Sequence, residues 1–163
     1  MSEMNIEVLF EYAIRWETQA RDLYLNLATL FRHEPKVSEF WVLLSEDETR
    51  HIELLQETLD MIPIKERESK VSDKLWNVVL QVDEFLKEAS NVQLLTLEDA
   101  YELAHKIENS EVNAIFRLLT IDLIPERREQ KIILAQVTEH INSLFEFGRE
   151  FPQANRKLIS VQP

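Results

Sequence analysis

The chain has 163 residues, no cysteine, one glycine and a formal net charge of −12. This length is sufficient for one domain with a substantial hydrophobic core. The lack of cysteine excludes disulfides, thiol catalysis and cysteine-ligated iron or zinc among these residues. The acidity argues against nucleic acid or an anionic membrane as partner. No apolar run approaches the ~20 residues of a membrane span and no signal peptide is visible, so we expect a cytoplasmic protein.

The scarcity of turn-forming residues predicts an all-α protein. A first helix is expected over about residues 5–31, because inward residues recur at alternating intervals of four and three, as on a bundle helix. Glu17 interrupts this otherwise apolar stripe. The stripe comprises Ile6, Phe10, Ala13, Glu17, Ala20, Tyr24, Leu27 and Phe31.

A second helix is predicted from Pro35 to about residue 61, since proline suits a helix start and Pro63 would end it. Its inward face carries a carboxylate and an imidazole, Glu48 and His51, which are neighbours because they are three residues apart. Burying a carboxylate without a partner costs several kcal/mol, so other segments are expected to supply partners. The stripe comprises Val37, Trp41, Leu44, Glu48, His51, Leu55, Thr58 and Ile62.

Residues 62–95 are predicted to form a long crossover with its own short helix over about residues 74–89, because a direct hairpin would need only a few residues. A third helix is expected to begin at Thr96, which can form a capping box with Asp99, and to continue to about residue 118. Its stripe comprises Leu97, Tyr101, Ala104, Glu108, Glu111, Ile115 and Leu118.

A fourth helix is predicted from about Pro125 to Gly148, where the single glycine would act as a left-handed C-cap. The bundle domain is expected to comprise residues 1–150, and the tail, residues 151–163, to be extended or partly disordered. The stripe of this helix comprises Gln130, Ile133, Val137, His140, Leu144 and Phe147.

The two halves of the chain resemble each other. The first and third helices align at an offset of 91 residues, and the second and fourth align at an offset of 89. This alignment places Glu17 on Glu108 and His51 on His140. Two helix pairs with matching inward polar groups, joined by a crossover, predict a pseudo-symmetric four-helix bundle.

The interior of such a bundle would collect six ionisable side chains at one level. Carboxylates crowded into an apolar space resist ionising, and a metal cation reverses that effect. Carboxylate and imidazole ligands together suit iron or manganese and, less specifically, zinc. A glutamate on each of two helices and Glu-x-x-His on the other two is the pattern of ferritin-like di-iron sites. The candidate metal ligands are Glu17, Glu48, His51, Glu108, Glu111 and His140.

With these residues the chain resembles the rubrerythrin branch of the ferritin-like superfamily over about residues 5–148. The likeness rests on the crossover and on three motifs: Trp16-Glu-Thr-Gln-Ala-Arg-Asp-Leu-Tyr24, Glu48-x-x-His51 and Glu108-x-x-Glu111. The resemblance implies a homodimer that binds two irons and reduces peroxide or oxidises Fe(II) with oxygen, using electrons from a separate donor protein. It implies ligand positions for Glu17, Glu48, His51 and Glu108, a second third-helix glutamate at Glu111, and a fourth-helix histidine at His140 that ligates iron or stands just behind it.

Two features depart from that family pattern. Val137 occupies the position where the fourth helix would give a carboxylate, a deficit that Glu111 would have to make up. The cysteine-rich rubredoxin domain is absent from these residues, so electrons would come from another protein. A second hypothesis is therefore a degenerate bundle that acts as a one-metal or metal-free binding or dimerisation module. A third is iron storage in a large cage.

Overall fold

The protein is described by a computed structural model at residues 4–93, 96–123 and 130–155. Within these ranges the chain forms seven α-helices and, apart from one isolated bridge, no β-structure, which confirms the all-α prediction. None of the described helices is long and apolar enough to cross a membrane. The helices are α1 (Ile6–Leu30), α2 (Pro35–Met61), α3 (Ile64–Arg67), α4 (Asp73–Ser90), α5 (Leu97–Glu108), α6 (Glu111–Arg117) and α7 (Gln130–Glu150).

Local side-chain chemistry fixes the starts of the main helices. The Asn5 side chain accepts a hydrogen bond from the Val8 amide at 2.9 Å and so caps α1. Helix α2 begins with Pro35 in its first turn, as predicted. The predicted capping box of α5 is confirmed: the Asp99 amide donates to Thr96 Oγ1 at 3.1 Å, and the Thr96 amide donates to the Asp99 carboxylate at 3.1 Å.

Helices α1 and α2 form an antiparallel hairpin whose stripes hold the core. Ser38 Oγ donates to the Ala28 carbonyl at 2.8 Å near the loop. One turn deeper, Tyr24 stacks on Trp41 with ring centroids 5.9 Å apart, and both side chains are 0% exposed. Burial of each large apolar side chain of this kind contributes roughly 1.5–3 kcal/mol. The predicted inward stripes of both helices are buried, except that Ile6 remains half-buried.

The crossover helix α4 is attached to α1 through one buried carboxylate. Asp83 Oδ1 accepts from Arg15 Nη2 at 2.5 Å and from Trp16 Nε1 at 3.3 Å. Lys87 Nζ pairs with the other oxygen at 2.6 Å. Burial alone would raise the pKa of Asp83, but the hydrogen bonds from Lys87, Trp16 and Arg15 outweigh it and lower that pKa. The crossover helix is thereby anchored to the residue that precedes Glu17.

The third predicted helix is interrupted, so its predicted continuity is wrong. Helix α5 ends at Glu108, and α6 begins only after a turn at Asn109 and Ser110. Asn109 Nδ2 donates to the His105 carbonyl at 2.8 Å. Ser110 Oγ accepts from the Val112 amide at 3.3 Å. Such local bonds offer the backbone an alternative to the helical ladder. These hydrogen bonds place Glu108 at the end of α5. After α6 the chain continues in a π-helical turn, Leu118–Asp122.

Gly148 is not a left-handed C-cap, so that prediction is also wrong. Helix α7 continues to Glu150, and no described residue has a positive φ. The glycine instead admits the ring of Tyr101 from α5: a Cβ atom would overlap the tyrosine oxygen and lie 2.8 Å from Cζ. Tyr101 is 1% exposed, so its ring cannot turn into solvent. The glycine therefore serves close packing between α7 and α5.

Two predictions concern the end of the chain. The start of the fourth helix near Pro125 lies outside the described residues, as does the tail beyond residue 155. The first part of the tail is not extended, because Pro152–Asn155 form a 3₁₀ turn. Ala154 in that turn is 1% exposed, so apolar burial fixes it against the bundle. The division into a domain and a tail stays a prediction.

Asp83→Asn is expected to lower the free energy of unfolding by about 1.5–3 kcal/mol at pH 7, as for hydrogen bonds to a charged group. Because folding lowers the pKa of Asp83, its contribution is complete above the unfolded value of about 3.9. The contribution is lost as the pH falls through the lower folded value. Urea unfolding at pH 7 and pH 3 should therefore show a difference from the native protein that shrinks in acid. Glu84→Gln, exposed on the same helix, is the control, and an equal loss in both variants at pH 7 would contradict the assignment.

Gly148→Ala is expected to destabilise the protein, although alanine is the better helix former by about 1 kcal/mol, because overpacking costs about 1–3 kcal/mol. The loss should be smaller in a Tyr101→Phe background, which lacks the oxygen nearest to the added methyl group. Urea unfolding of the native protein, both single variants and the double variant gives this coupling. The same loss in both backgrounds would show that the tyrosine contact is not the cause.

Candidate metal centre

Four helices bring five ionisable side chains into the interior of the bundle. Helix α1 supplies one glutamate, α2 supplies a glutamate and a histidine three residues apart, α5 supplies a glutamate at its last residue, and α7 supplies a histidine. Their exposed fractions lie between 1% and 4%. The residues are Glu17, Glu48, His51, Glu108 and His140. We call them the buried cluster.

His51 lies between two carboxylates of the cluster. Its Nδ1 is hydrogen-bonded to Glu48 Oε2 at 3.0 Å and lies 3.6 Å from Glu17 Oε2. The ring of Phe116 covers the imidazole, with centroids 4.5 Å apart. Burial alone would lower the pKa of His51, but the hydrogen bonds with Glu17 and Glu48 outweigh it and raise that pKa to about 10. A proton on His51 therefore balances carboxylate charge in the metal-free cluster.

The pKa values of Glu48 and Glu17 are shifted in opposite directions. Burial, together with the negative charges of Glu17 and Glu108, raises the pKa of Glu48 well above its usual value. Burial also acts to raise the pKa of Glu17, but its interactions with His51 outweigh burial and lower it. Of these two carboxylates, Glu48 holds a proton more strongly than Glu17. A cation placed beside it would reverse this preference.

His140 is the member of the cluster that fits a metal most directly. Its Nε2 lies 3.6 Å from Glu48 Oε1, and its Nδ1 lies 3.5 Å from Glu108 Oε2. Neither ring nitrogen has a hydrogen-bond partner among the residues that the structure describes. A buried nitrogen left unpaired costs about 1–3 kcal/mol. Burial lowers the pKa of His140, and the neutral imidazole is the form that binds metals.

The donor set suits iron or manganese. Ligand atoms of Glu48, His51 and His140 all lie within 4.8 Å of one another, close enough to surround one ion. Glu17 stands beside His51, and Glu108 stands beside His140, so each imidazole has its own additional carboxylate. Three carboxylates and two imidazoles form the mixed oxygen and nitrogen environment that these metals accept. The residues present therefore fit a metal centre that carboxylates and imidazoles would hold together.

Two further side chains hold Glu108 in place. Tyr24 Oη donates to Glu108 Oε1 at 2.5 Å. Burial and the Glu108 charge raise the pKa of Tyr24 well above its usual value, so it keeps its proton. Asn113 Nδ2 donates to the Glu108 main-chain carbonyl and lies 3.5 Å from Oε2. Tyr101, an inward stripe residue of α5, instead faces Gly148.

Asn113 and Phe116 are absent from the sequence-based site because the helix break changes the register. Beyond the turn the buried apolar residues are Val112, Ile115, Phe116 and Leu119, whereas the predicted stripe residue Leu118 is half-buried. The five-residue interval from Glu108 to Asn113 does not match a helical period. The serine and asparagine that follow Glu108 were the available signal of an interruption.

The predicted second metal position depends on Glu111 and Val137. Glu111 is the first residue of α6, and Val137 lies within α7. Their side chains lie outside the part of the chain that the structure describes. The prediction that Glu111 binds metal therefore stays a prediction.

The helical bundle with its buried glutamates and histidines defines a ferritin-like protein with a cluster suited to metal binding. The family model of rubrerythrin matches residues 8–129, which is most of the chain, and the chain therefore belongs to the rubrerythrin family. Its fold is similar to the crystal structure of a Thermotoga maritima protein described as ferritin-like and diiron-carboxylate. That match has a TM-score of 0.62 and 20% identity, and it covers 92% of this chain and 98% of the other. No curated protein matches the chain.

Tyr24→Phe is expected to lower the free energy of unfolding by about 1–3 kcal/mol, because it leaves a buried carboxylate oxygen of Glu108 without its donor. Tyr101→Phe is the matched control, since that tyrosine is as deeply buried but contacts no cluster carboxylate in the described structure. Urea unfolding of metal-free protein measures both. Equal effects of the two variants would show that the Tyr24 hydroxyl does not support the cluster.

Proposed function

We propose that this protein is a rubrerythrin-type oxidoreductase whose buried cluster binds two iron ions and reduces hydrogen peroxide. The observation that carries the proposal is the convergence of three glutamates and two histidines in one apolar interior, with both nitrogens of His140 unpaired within the described structure. The family match supports the same class of protein. Oxidation of Fe(II) by oxygen would use the same residues.

The residues of the cluster and its surroundings would have different roles in this function. Glu48 lies between the two imidazoles and would bridge the metal positions, while Glu17 and Glu108 would add one carboxylate on either side. When bound, two Fe(II) ions supply the two electrons that, with two protons, convert hydrogen peroxide into two water molecules. Tyr24 keeps Glu108 oriented and retains its own proton. On the carboxylate side of the cluster, Trp16 and Leu86 limit the entry of bulk water.

The electrons would come from a separate donor protein, because none of the 163 residues is a cysteine that could form a rubredoxin-type iron site. A homodimer is part of the proposal through the family resemblance alone. Sedimentation analysis tests it directly. A dimer-sized mass would also exclude iron storage in a large cage.

A second candidate is a module that binds one metal ion or none. The observation that favours it is the compact set of Glu48, His51 and His140, whose ligand atoms are close enough to surround a single ion. Val137, which aligns with Glu48 in the internal repeat, cannot supply the carboxylate that a symmetric second position would use. Metal stoichiometry separates the two candidates.

Protein reconstituted with Fe(II) without oxygen is expected to retain about two irons per chain, as in ferritin-like di-iron sites. Glu48→Gln and His51→Ala should abolish this binding, because each removes a ligand from the centre of the cluster. Elemental analysis after desalting measures the iron. Glu53→Gln, exposed on the same helix, should bind as the native protein does.

One iron per chain would support the single-metal module, and none would contradict the di-iron proposal. For protein that binds two irons, peroxide added to the reduced form should be consumed and the visible absorbance of the oxidised form should return. If the native protein consumes peroxide no faster than His51→Ala does, the enzymatic proposal is contradicted. The measured metal binding would still stand.

A further inference from the structure

We propose that a pocket between α2 and α7 is the access route by which small cationic and neutral reactants reach the buried cluster, an inference that rests on the proposed function. The pocket has a volume of about 270 Å³, and His51 and His140 form its floor. Its walls are formed by Leu43, Asp47, Arg50, Gln136, Glu139 and Ser143. We call it the α2–α7 pocket.

The opposite side of the cluster has little open space among the residues that the structure describes. A cavity beside Glu17, Glu48 and Glu108 has a volume of only about 10 Å³. Trp16 and Leu86 cover it, with α4 held in place by the Asp83 anchor. A cavity needs roughly 10–15 Å³ to hold a single water molecule. Among the residues that the structure describes, the carboxylate side therefore offers far less room for passage than the histidine side.

A second groove provides the competing route. It lies between α1, α4 and α5, has a volume of about 220 Å³, and is lined by residues that include Gln19, Asn26 and Ile107. It shares Ala20, Leu86 and Ile107 with the small cavity, but none of the five cluster residues lines it. Reactants using this groove would have to pass these three apolar side chains. The α2–α7 pocket requires no such passage.

Charge and size indicate which reactants the α2–α7 pocket admits. Arg50 forms an ion pair with Asp47 at its wall, so their charges offset each other. Glu139 adds an exposed carboxylate at the mouth. The resulting negative potential favours cations and opposes anions. The volume is below the ~300–1,000 Å³ of pockets for organic ligands. The pocket therefore suits a divalent metal ion and a small neutral molecule such as hydrogen peroxide.

Ser143→Trp and Gln136→Trp should obstruct the pocket from two different positions. Both variants are expected to slow the uptake of Co²⁺ by metal-free protein by about tenfold, equivalent to ~1.4 kcal/mol on the barrier. The final metal content should stay unchanged, because neither residue belongs to the cluster. Stopped-flow absorbance of the bound Co²⁺ gives the rate. Asn26→Trp, which fills the competing groove, should load as the native protein does; slow loading by this variant alone would overturn the proposal.

A measurement on metal-free protein tests the access route independently of the proposed function. In D₂O the hydrogen on imidazole C2 exchanges slowly with solvent, and mass spectrometry resolves each histidine. Ser143→Trp should slow exchange at His140 several-fold, while exposed His33 keeps its rate as an internal reference. If the native protein binds no metal, the proposed function fails and exchange alone decides the route. Unchanged exchange at His140 in both tryptophan variants would overturn the access proposal.

The charge at the mouth has its own test. Glu139→Lys should slow Co²⁺ uptake several-fold at low salt, and the difference should fall at high salt because the exposed charge is screened. The final Co²⁺ content should stay unchanged, because Glu139 is exposed and does not belong to the buried cluster. Glu53→Lys makes the same charge change on α2 away from the pocket and is the control. Equal slowing by the two lysine variants would show that Glu139 has no special position, and the cation preference would be overturned.

Discussion

The burial of five ionisable groups in an apolar interior is the constraint on which the rest of this structure depends. Each buried charge costs several kcal/mol unless it is paired, and the cluster pairs His51 with Glu48 and Glu17 inside the core. Glu48 occupies the centre, within 3.0 Å of His51 and 3.6 Å of His140. Both ring nitrogens of His140 stay without a hydrogen-bond partner among the described residues. Four helices meet at this point, because α1, α2, α5 and α7 carry the five side chains. A bound metal cation would compensate the negative charge of the same carboxylates in place of protons.

The internal repeat explains much of this geometry. The distance from His51 to Glu17 is 3.6 Å, and the corresponding distance from His140 to Glu108 is 3.5 Å. Each half of the chain therefore contributes one imidazole and one carboxylate in an equivalent pair. The halves differ where Glu48 aligns with Val137 and where α5 ends at Glu108 although α1 continues past Glu17. The cluster is thus symmetric in its two histidine–glutamate pairs and asymmetric at Glu48, which has no counterpart carboxylate in the second half of the chain.

The two sides of the buried cluster are covered by different parts of the chain. On the carboxylate side, α4 covers the interior and is secured by the hydrogen bond between Trp16 and Asp83. On the histidine side, a pocket with several polar wall residues lies between α2 and α7. The crossover that joins the two halves therefore also covers one side of the cluster. The connection between the helix pairs thus decides which side of the cluster has a pocket next to it, and this links the topology of the chain to its chemistry.

The sequence by itself determined the helical class, the ends of the first two helices and the inward faces, because a period of 3.6 residues records which side of a helix is buried. It also singled out Glu17, Glu48, His51, Glu108 and His140, since ionisable residues on apolar stripes stand out. It did not reveal the turn after Glu108, because asparagine and serine act there through hydrogen bonds to particular neighbouring groups. Tyr24 on Glu108 and Tyr101 against Gly148 join residues far apart in the chain. Only tertiary packing decided such contacts, because helical periodicity fixes the face of each side chain but not the residue that it meets on another helix.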